Sequence, residues 1–174
     1  NIKTKEKLIR AESEFAIPTK YVWLTVKDGM VMASAGIDES NANGKLILLP
    51  KDSFKTARFL RNKLRKHYGV RNLGILITDS RIIPLRAGVT GVALGYAGFR
   101  GVKDYSGTPD IFGRKFKFSR TDVADSLATA AVFVMGEGNE QQPLAIIEEV
   151  PIEFCDKIHR KELHIDIKDD MYRP

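Results

Sequence analysis

Cysteine is nearly missing from this chain: Cys155 is the only one among 174 residues. One thiol rules out an internal disulfide and fits a reducing compartment, so a cytoplasmic location is expected. It stands in a charged stretch with no local catalytic signature and reads as an incidental thiol. No apolar run approaches the roughly 20 residues that a membrane helix needs, so no membrane partner is expected. The three histidines, His67, His159 and His164, show no metal-ligand spacing. There is no Gly-x-x-x-x-Gly-Lys phosphate loop and no Gly-x-Ser-x-Gly elbow, which removes the P-loop and α/β-hydrolase readings. No internal repeat or low-complexity segment is visible. A methionine start is also lacking: residue 1 is Asn1. The expectation is a processed, trimmed or partial chain.

What is present can build a core. Hydrophobic residues make up 43% of the chain, enough for one large domain or two small ones. Lys and Arg number 28 against 22 Asp and Glu, a net charge of +6. That charge concentrates in one segment, residues 52–69. There Phe54, Ala57, Leu60, Leu64 and Tyr68 recur at helical spacing, and Lys55, Arg58, Arg61, Lys63, Arg65 and Lys66 occupy the remainder. Asp52 or Ser53 caps this helix and Gly69 ends it. A solvated face is favoured over a nucleic-acid contact, because no aromatic residues interleave the charges. A basic surface also attracts nucleotides and polycarboxylates.

Residues 21–26 and 30–33 read as strands joined by Lys27-Asp28-Gly29, a hairpin signal. Residues 45–49 read as a short buried strand closed by Pro50. Leu73 to Thr78 is apolar at nearly every position, as in a strand buried on both faces, and is expected to stop at Asp79-Ser80. Residues 89–99 read as a strand whose Gly91, Gly95 and Gly98 mark bulges or close backbone approach. A long loop follows over 101–113, then a half-exposed strand at 115–118. A second helix, capped by Ser119 or Thr121, carries Val123, Leu127, Ala130, Ala131 and Val134 and stops at Gly136. A last strand begins at Pro143–Ile147. The end of the chain alternates apolar residues at Leu163, Ile165 and Ile167, as an edge strand or a tail. The expected class is α+β, with a mixed or antiparallel sheet and two main helices.

Three oxygen-rich stretches follow apolar elements: Ser34 to Asn43, Thr78-Asp79-Ser80, and Gly136 to Glu140. Asp38, Asp79 and Glu137 would repel one another if they met, unless a cation neutralised them. Ser80 adds a neutral oxygen. Oxygen donors of this kind suit hard divalent cations. Asn41 can donate to a base or phosphate, and Gly136 and Gly138 allow backbone N–H groups close to an anion. Taken singly, Asp38 and Asn41 also read as turn residues, Asp79 as a cap and Glu137 as an exposed loop carboxylate.

The order and extent of the motifs say more. Ser34 to Asn41, Gly74 to Ser80, Pro84-Leu85-Arg86, Gly88 to Phe99, Asp104 to Gly107, Pro109 to Arg114 and Asp122 to Glu137 run over about residues 21–150. In these stretches the chain resembles the γ-glutamyl ligases of the deazaflavin coenzyme F420 pathway, and within that superfamily a relative thought to glutamylate folates. The resemblance implies a nucleotide-dependent ligase, with GTP or ATP as co-substrate. A substrate carboxylate is phosphorylated and the amine of L-glutamate then attacks the acyl phosphate. It also implies two divalent cations, Mg²⁺ or Mn²⁺, with K⁺ as a further cation, and a homodimer. By motif match Asp38 and Asp79 would bind one metal, Ser80 and Glu137 the other. Asn41 and the run Val132, Phe133, Val134, Met135, Gly136, Glu137, Gly138 and Asn139 would contact the nucleotide. Arg86, Asp104, Asp110 and Arg114 are candidates for acceptor or glutamate contacts, with an ion pair ordering the long loop as the other reading.

Two departures from the family pattern matter. Where the coenzyme branch carries an aromatic-rich Phe-Gly-Arg-Pro-type stretch after its Thr-Asp, this chain has Arg81-Ile82-Ile83-Pro84. That points toward a folate-like acceptor or an unknown one. The family's extra N-terminal stretch is also missing, so part of the nucleotide pocket is expected to be missing with it. The expected organisation is an arm over 1–20, a ligase-like domain over 21–150 and a charged tail or edge strand over 151–174. The alternatives are a non-catalytic basic domain that binds polyanions or nucleic acid, and an inactive fragment of the ligase.

Overall fold

A computed structural model describes residues 2–171. Two compact units are present: Asn1–Lys51 with Ser80–Thr90, and Asp52–Asp79 with Gly91–Pro174. The α+β class expected from sequence is what is found, with three α-helices and small antiparallel sheets.

In the first unit, helix α1 (Ile2–Ala11) precedes strands β1 (Phe15–Pro18), β2 (Trp23–Lys27) and β3 (Met30–Ala33). The strands form an antiparallel meander in the order β1-β2-β3, with Phe15 opposite Val26 and Lys27 opposite Met30. The β2–β3 turn is Asp28-Gly29, both with positive φ (53° and 74°). That is the two-residue geometry whose twist matches the flanking strands, and Asp-Gly adopts it at low cost. Ile9, Ala35 and Ile37 form the buried centre, with Leu8, Ala16, Trp23 and Leu46 packed around it.

Residues 45–49 do not form the buried strand expected from their composition. Ile47 makes an isolated bridge to Asp38, and Ile47 and Leu48 are exposed. An apolar run without strict alternation fits either a buried strand or a loop, and here one bridged residue is all that the pairing supplies.

In the second unit, helix α2 (Ser53–Tyr68) is capped by Asp52, whose side chain accepts from the Lys55 amide, and it ends at left-handed Gly69. The expected apolar face is found in part. Ala57 is buried and Phe54 packs on the core, Leu60 and Tyr68 are exposed, and Arg61, expected to be solvated, is buried. Arg61 is accommodated because Nε donates to the Leu73 carbonyl at 2.7 Å and a terminal nitrogen pairs with Asp156 at 2.9 Å. Helix α3 (Val123–Met135) is capped by Asp122, not by Ser119 or Thr121, and Asp125 in its first turn accepts from the Ala93 amide.

Strand β4 (Ile75–Ile82) pairs with β5 (Val89–Ala97). Their short connection permits only antiparallel pairing. β4 does not stop at Asp79-Ser80 but runs through both. Residues of β5 from Val92 to Ala97 are buried. The close backbone approach expected at its glycines is present. A Cβ on Gly91 would collide with the Ala128 carbonyl of α3, and one on Gly95 would stand 2.6 Å from the Phe54 nitrogen of α2. The core joins Ala93, Tyr96, Phe99, Ala124 and Ala128, with Phe54, Leu76, Ile152, Ile158 and Leu163 packed on it.

Strands β6 (Val102–Asp104) and β7 (Arg120–Asp122) form a further antiparallel pair. The loop between them carries a Pro109–Lys115 bridge instead of the strand expected at 115–118. Among the described residues no strand forms at 143–147 or over Leu163 and Ile165. The C-terminal segment is held by side chains instead: Arg160 grips the Asp52 carboxylate at 2.9 and 3.0 Å, and Glu162 binds Tyr96.

Candidate functional site

The loop that follows β3 is built on an uncommon backbone. Ser34, Ala35 and Gly36 all have positive φ (51°, 57° and 67°), a short left-handed turn. For residues other than glycine this conformation costs roughly 1–2 kcal/mol each. Thr25 of β2 offsets that cost. Its side chain is fully buried; the hydroxyl donates to the Met32 carbonyl at 2.7 Å and accepts from the Ala35 amide at 2.9 Å. The turn is closed by a bond from Ile37 N to Ser34 O. Asp38 follows, with its own backbone fixed by two bonds to Ile47, at 3.1 and 2.9 Å.

The Asp38 carboxylate is oriented by its neighbours. Oδ1 accepts from the Glu39 amide at 2.7 Å, the Ser40 amide at 2.8 Å and the Ser40 hydroxyl at 2.9 Å. Partial burial opposes ionisation, but the two Ser40 bonds, the Glu39 amide and the charge of Lys5 outweigh it and hold the carboxyl below its usual range. Oδ2 accepts no bond from a described residue. Asn41 is exposed with φ 51°. Glu39 is ion-paired to Lys5 at 2.6 Å.

Asp79 and Ser80 are successive residues inside β4, so their side chains leave opposite faces of the strand. Ser80 and Arg86 belong to the first unit and Asp79 to the second. Arg86 lies in the connection after β4, where its amide donates to Ile83 O at 3.2 Å.

In the second unit α3 ends at Gly136 (φ 80°), whose amide returns to Val132 O. Of the expected nucleotide-binding run, Val132 is buried, Phe133 and Val134 are exposed, and Glu137, Gly138 and Asn139 are exposed in the loop beyond. Glu140 folds back over this loop. Its Oε2 accepts from the Gly138 amide at 2.7 Å, and a Cβ on Gly136 would collide with its side chain. An anionic oxygen therefore sits on one of the amides expected to meet a phosphate. Glu140 was not singled out from sequence; the only signal was its place after Gly-x-Gly.

Asp104 and Asp110 are engaged within the β6–β7 hairpin. Asp104 accepts from the Ser106 amide at 2.8 Å and from Arg120 at 3.2 Å. Ser106 and then Arg120 hold its carboxyl below the usual range. Asp110 accepts from the amides of Phe112 (2.9 Å) and Arg114 (2.8 Å). Among the described residues the ion pair in this hairpin joins Asp104 to Arg120, a residue outside the motifs.

The proposed metal ligands divide between the units: Asp38 and Ser80 in the first, Asp79 and Glu137 in the second. Among the described residues, no three His, Cys, Asp or Glu side chains form a group placed to hold a metal ion. The donor chemistry nonetheless fits hard cations, since every candidate ligand is a carboxylate or hydroxyl oxygen and Asp38 keeps Oδ2 available. On α2, Arg61 and Arg65 both bind Asp156 (2.9 and 3.3 Å), so two of the arginines that a nucleic-acid surface would use are committed internally. No helix among the described residues is long and apolar enough to cross a membrane.

Residues 3–149 match the family model described as F420-0:gamma-glutamyl ligase. Among curated proteins, the chain is 39% identical over 153 residues to the coenzyme F420:L-glutamate ligase of Methanococcus maripaludis (strain C7), covering 88% of this chain and 61% of the relative. It is 42% identical over 140 residues to the protein of the same name from Methanopyrus kandleri, with coverage of 80% and 55%. With that from Methanocaldococcus jannaschii it shares 35% over 147 residues, 84% and 59%. The chain thus spans less than two thirds of the length of these relatives. It belongs to the F420-0:gamma-glutamyl ligase family.

Proposed function

We propose that this chain carries part of the machinery of a nucleotide-dependent γ-glutamyl ligase, which joins L-glutamate through an amide to a carboxylate of a deazaflavin-class acceptor. The observation that carries this reading is the family match over residues 3–149, with relatives named as coenzyme F420:L-glutamate ligases. Asp38, Asp79, Ser80 and Glu137 are the proposed oxygen ligands for two divalent cations, Mg²⁺ or Mn²⁺. Cations bound there would offset the charge of a transferring phosphoryl group.

The chain's own residues supply orientation. Three hydrogen bonds fix Oδ1 of Asp38 and turn Oδ2 into the available ligand atom. In the proposed arrangement a nucleotide phosphate takes the place of the Glu140 carboxylate on the Gly138 amide. Asn41 and the end of α3 from Val132 complete the proposed nucleotide contacts. The proposed co-substrate is GTP, with ATP as the competitor, and the proposed assembly is a homodimer.

A folate-like acceptor is the second reading, favoured by Arg81-Ile82-Ile83-Pro84 after Thr78-Asp79. The test is incorporation of labelled L-glutamate with GTP or ATP, Mg²⁺ or Mn²⁺, and each acceptor class in turn. Nucleotide-dependent incorporation that is lost in Asp79→Asn supports the reading and identifies the acceptor. No incorporation with either acceptor, and none with the chain extended to the length of its relatives, overturns it.

A further inference from the structure

A cavity of about 830 Å³ lies wholly within the second unit, between the β6–β7 pair and the C-terminal segment around residues 151–164. Its lining combines three kinds of group. Arg100 and Arg120 each hydrogen-bond a carboxylate through Nε alone: Arg100 to Glu153 at 3.5 Å and Arg120 to Asp104 at 3.2 Å. The terminal guanidinium nitrogens of both remain as donors, in the fork geometry that suits a carboxylate. Lys161 adds an ammonium with no carboxylate partner among the described residues.

The second group is Glu162. Its Oε1 accepts from the buried Tyr96 hydroxyl at 2.5 Å and from the Gly101 amide at 2.6 Å. Two donors on one oxygen lock the carboxylate, and Oε2 accepts no bond from a described residue. Among the described residues no cation is paired with it. The third group is apolar: Val102, Val123 and Ile152 line the same cavity.

Cationic forks, one rigid carboxylate and an aliphatic wall are the complement of a molecule with two carboxylates, one ammonium and short methylenes. We propose that this cavity binds an acidic α-amino acid, the arginines and Lys161 taking its carboxylates and Glu162 Oε2 its ammonium. The identity of the ligand as L-glutamate rests on the ligase reading; the site's preference for that class of molecule does not. The cavity is wider than a single amino acid, so the expected affinity is modest, in about the millimolar range.

The test is titration of the whole chain by calorimetry or saturation-transfer NMR, without nucleotide or metal, using L-glutamate, glutarate and L-glutamine at fixed ionic strength. L-Glutamate is expected to bind about tenfold or more tightly than glutarate, which lacks the ammonium, and than glutamine, which lacks a carboxylate. Arg100→Ala and Lys161→Ala should weaken glutamate and glutarate alike. Glu162→Gln keeps an oxygen for Tyr96 and Gly101 but removes the charge, so it should lower glutamate affinity about tenfold and leave glutarate unchanged. A purely structural Glu162 would not produce that split. Equal binding of glutamate and glutarate, no binding of either, or a Glu162→Gln protein that still prefers glutamate overturns the proposal. If Glu162→Gln unfolds, the exposed Lys161→Ala decides: unchanged glutamate affinity there is equally fatal. The two readings fail separately. Glutamate incorporation whose KM is unmoved by Arg100→Ala and Lys161→Ala refutes the cavity alone, and the expected binding pattern without any incorporation refutes the ligase alone.

Discussion

Replacing Thr25 by valine takes one oxygen from the interior of the first unit and puts a methyl group in its place. The shape is kept and strand preference hardly changes, since both residues are β-branched. The hydrogen bonding is not kept. The Ala35 amide, in a residue only 1% exposed, loses its acceptor, and the Met32 carbonyl loses a donor. An unsatisfied buried amide costs about 1–3 kcal/mol. The new methyl returns about 0.8 kcal/mol at most, so a net loss of about 1–2 kcal/mol is expected. Thr25→Ser keeps both bonds and sheds one methyl, for about 1 kcal/mol or less.

The loss has a local consequence as well. Ser34 and Ala35 stay left-handed against a cost of roughly 1–2 kcal/mol each, and the Thr25 hydroxyl is the side-chain group that holds Ala35 there. Without it the turn is expected to relax toward right-handed backbone and to carry Ile37 and Asp38 with it. Urea unfolding at constant m gives the stability change, and amide exchange at Ala35 and Asp38 gives the local one. For the proposed Mn²⁺ site at Asp38, affinity is expected to fall in the valine variant and to persist in the serine variant. The reasoning is refuted if valine lies within about 0.5 kcal/mol of the parent protein, or if serine is as damaging as valine.

Gly91→Ala should destabilise the second unit by about 1–3 kcal/mol, because its Cβ would meet the Ala128 carbonyl and α3 would have to move; thermal unfolding measures this. Glu140→Ala should raise affinity for a fluorescent guanine nucleotide about fivefold, since Glu140 now occupies the Gly138 amide; unchanged affinity would place the phosphates elsewhere. The carboxyls of Asp38, Asp52 and Asp156 are held below their ordinary values, chiefly by hydrogen bonds and by neighbouring cations, against burial. Their contribution is therefore present above about pH 4 and is lost as pH falls through their folded values, so acid unfolding should be shallower in Asp52→Asn. Duplex or single-stranded RNA should bind weakly at moderate salt and with little dependence on Arg61 or Arg65, because both are paired with Asp156.

What could be read from sequence was whatever a few neighbouring residues decide. Asp28-Gly29 makes its turn from its own backbone preferences, Asp52 and Gly69 bracket α2, and Gly91 and Gly95 announce backbones that touch. Ser40 orients Asp38 from two residues away. The same locality explains the errors. Arg61 reads as a solvated charge until Asp156 and the Leu73 carbonyl meet it, and nothing within a helical turn hints at either. The strands expected at 45–49 and 143–147 are apolar without the partners that would make them strands. Asp79-Ser80 looked like the end of a strand because polarity changes there, yet hydrogen bonding carries β4 through to Ile82.

The candidate site divides along the same line. The motifs that place the chain in its family are short runs in a fixed order, so they survive without any knowledge of packing. The contacts on which the proposed sites depend are made by single residues joined across the chain. Thr25 is ten residues from the amide it holds, and Glu162 is sixty-six from the tyrosine that locks it. Neither carries a motif, because a hydroxyl in a strand and a glutamate in a charged segment are each ordinary. Their significance lies in what they leave unpaired or prevent from relaxing. One keeps a left-handed turn ahead of Asp38; the other is a carboxylate held by Tyr96 and Gly101, with no cation partner among the described residues. A search for further functional residues in this family should therefore begin from buried hydroxyls and pinned carboxylates next to the motifs, and not from the motifs alone.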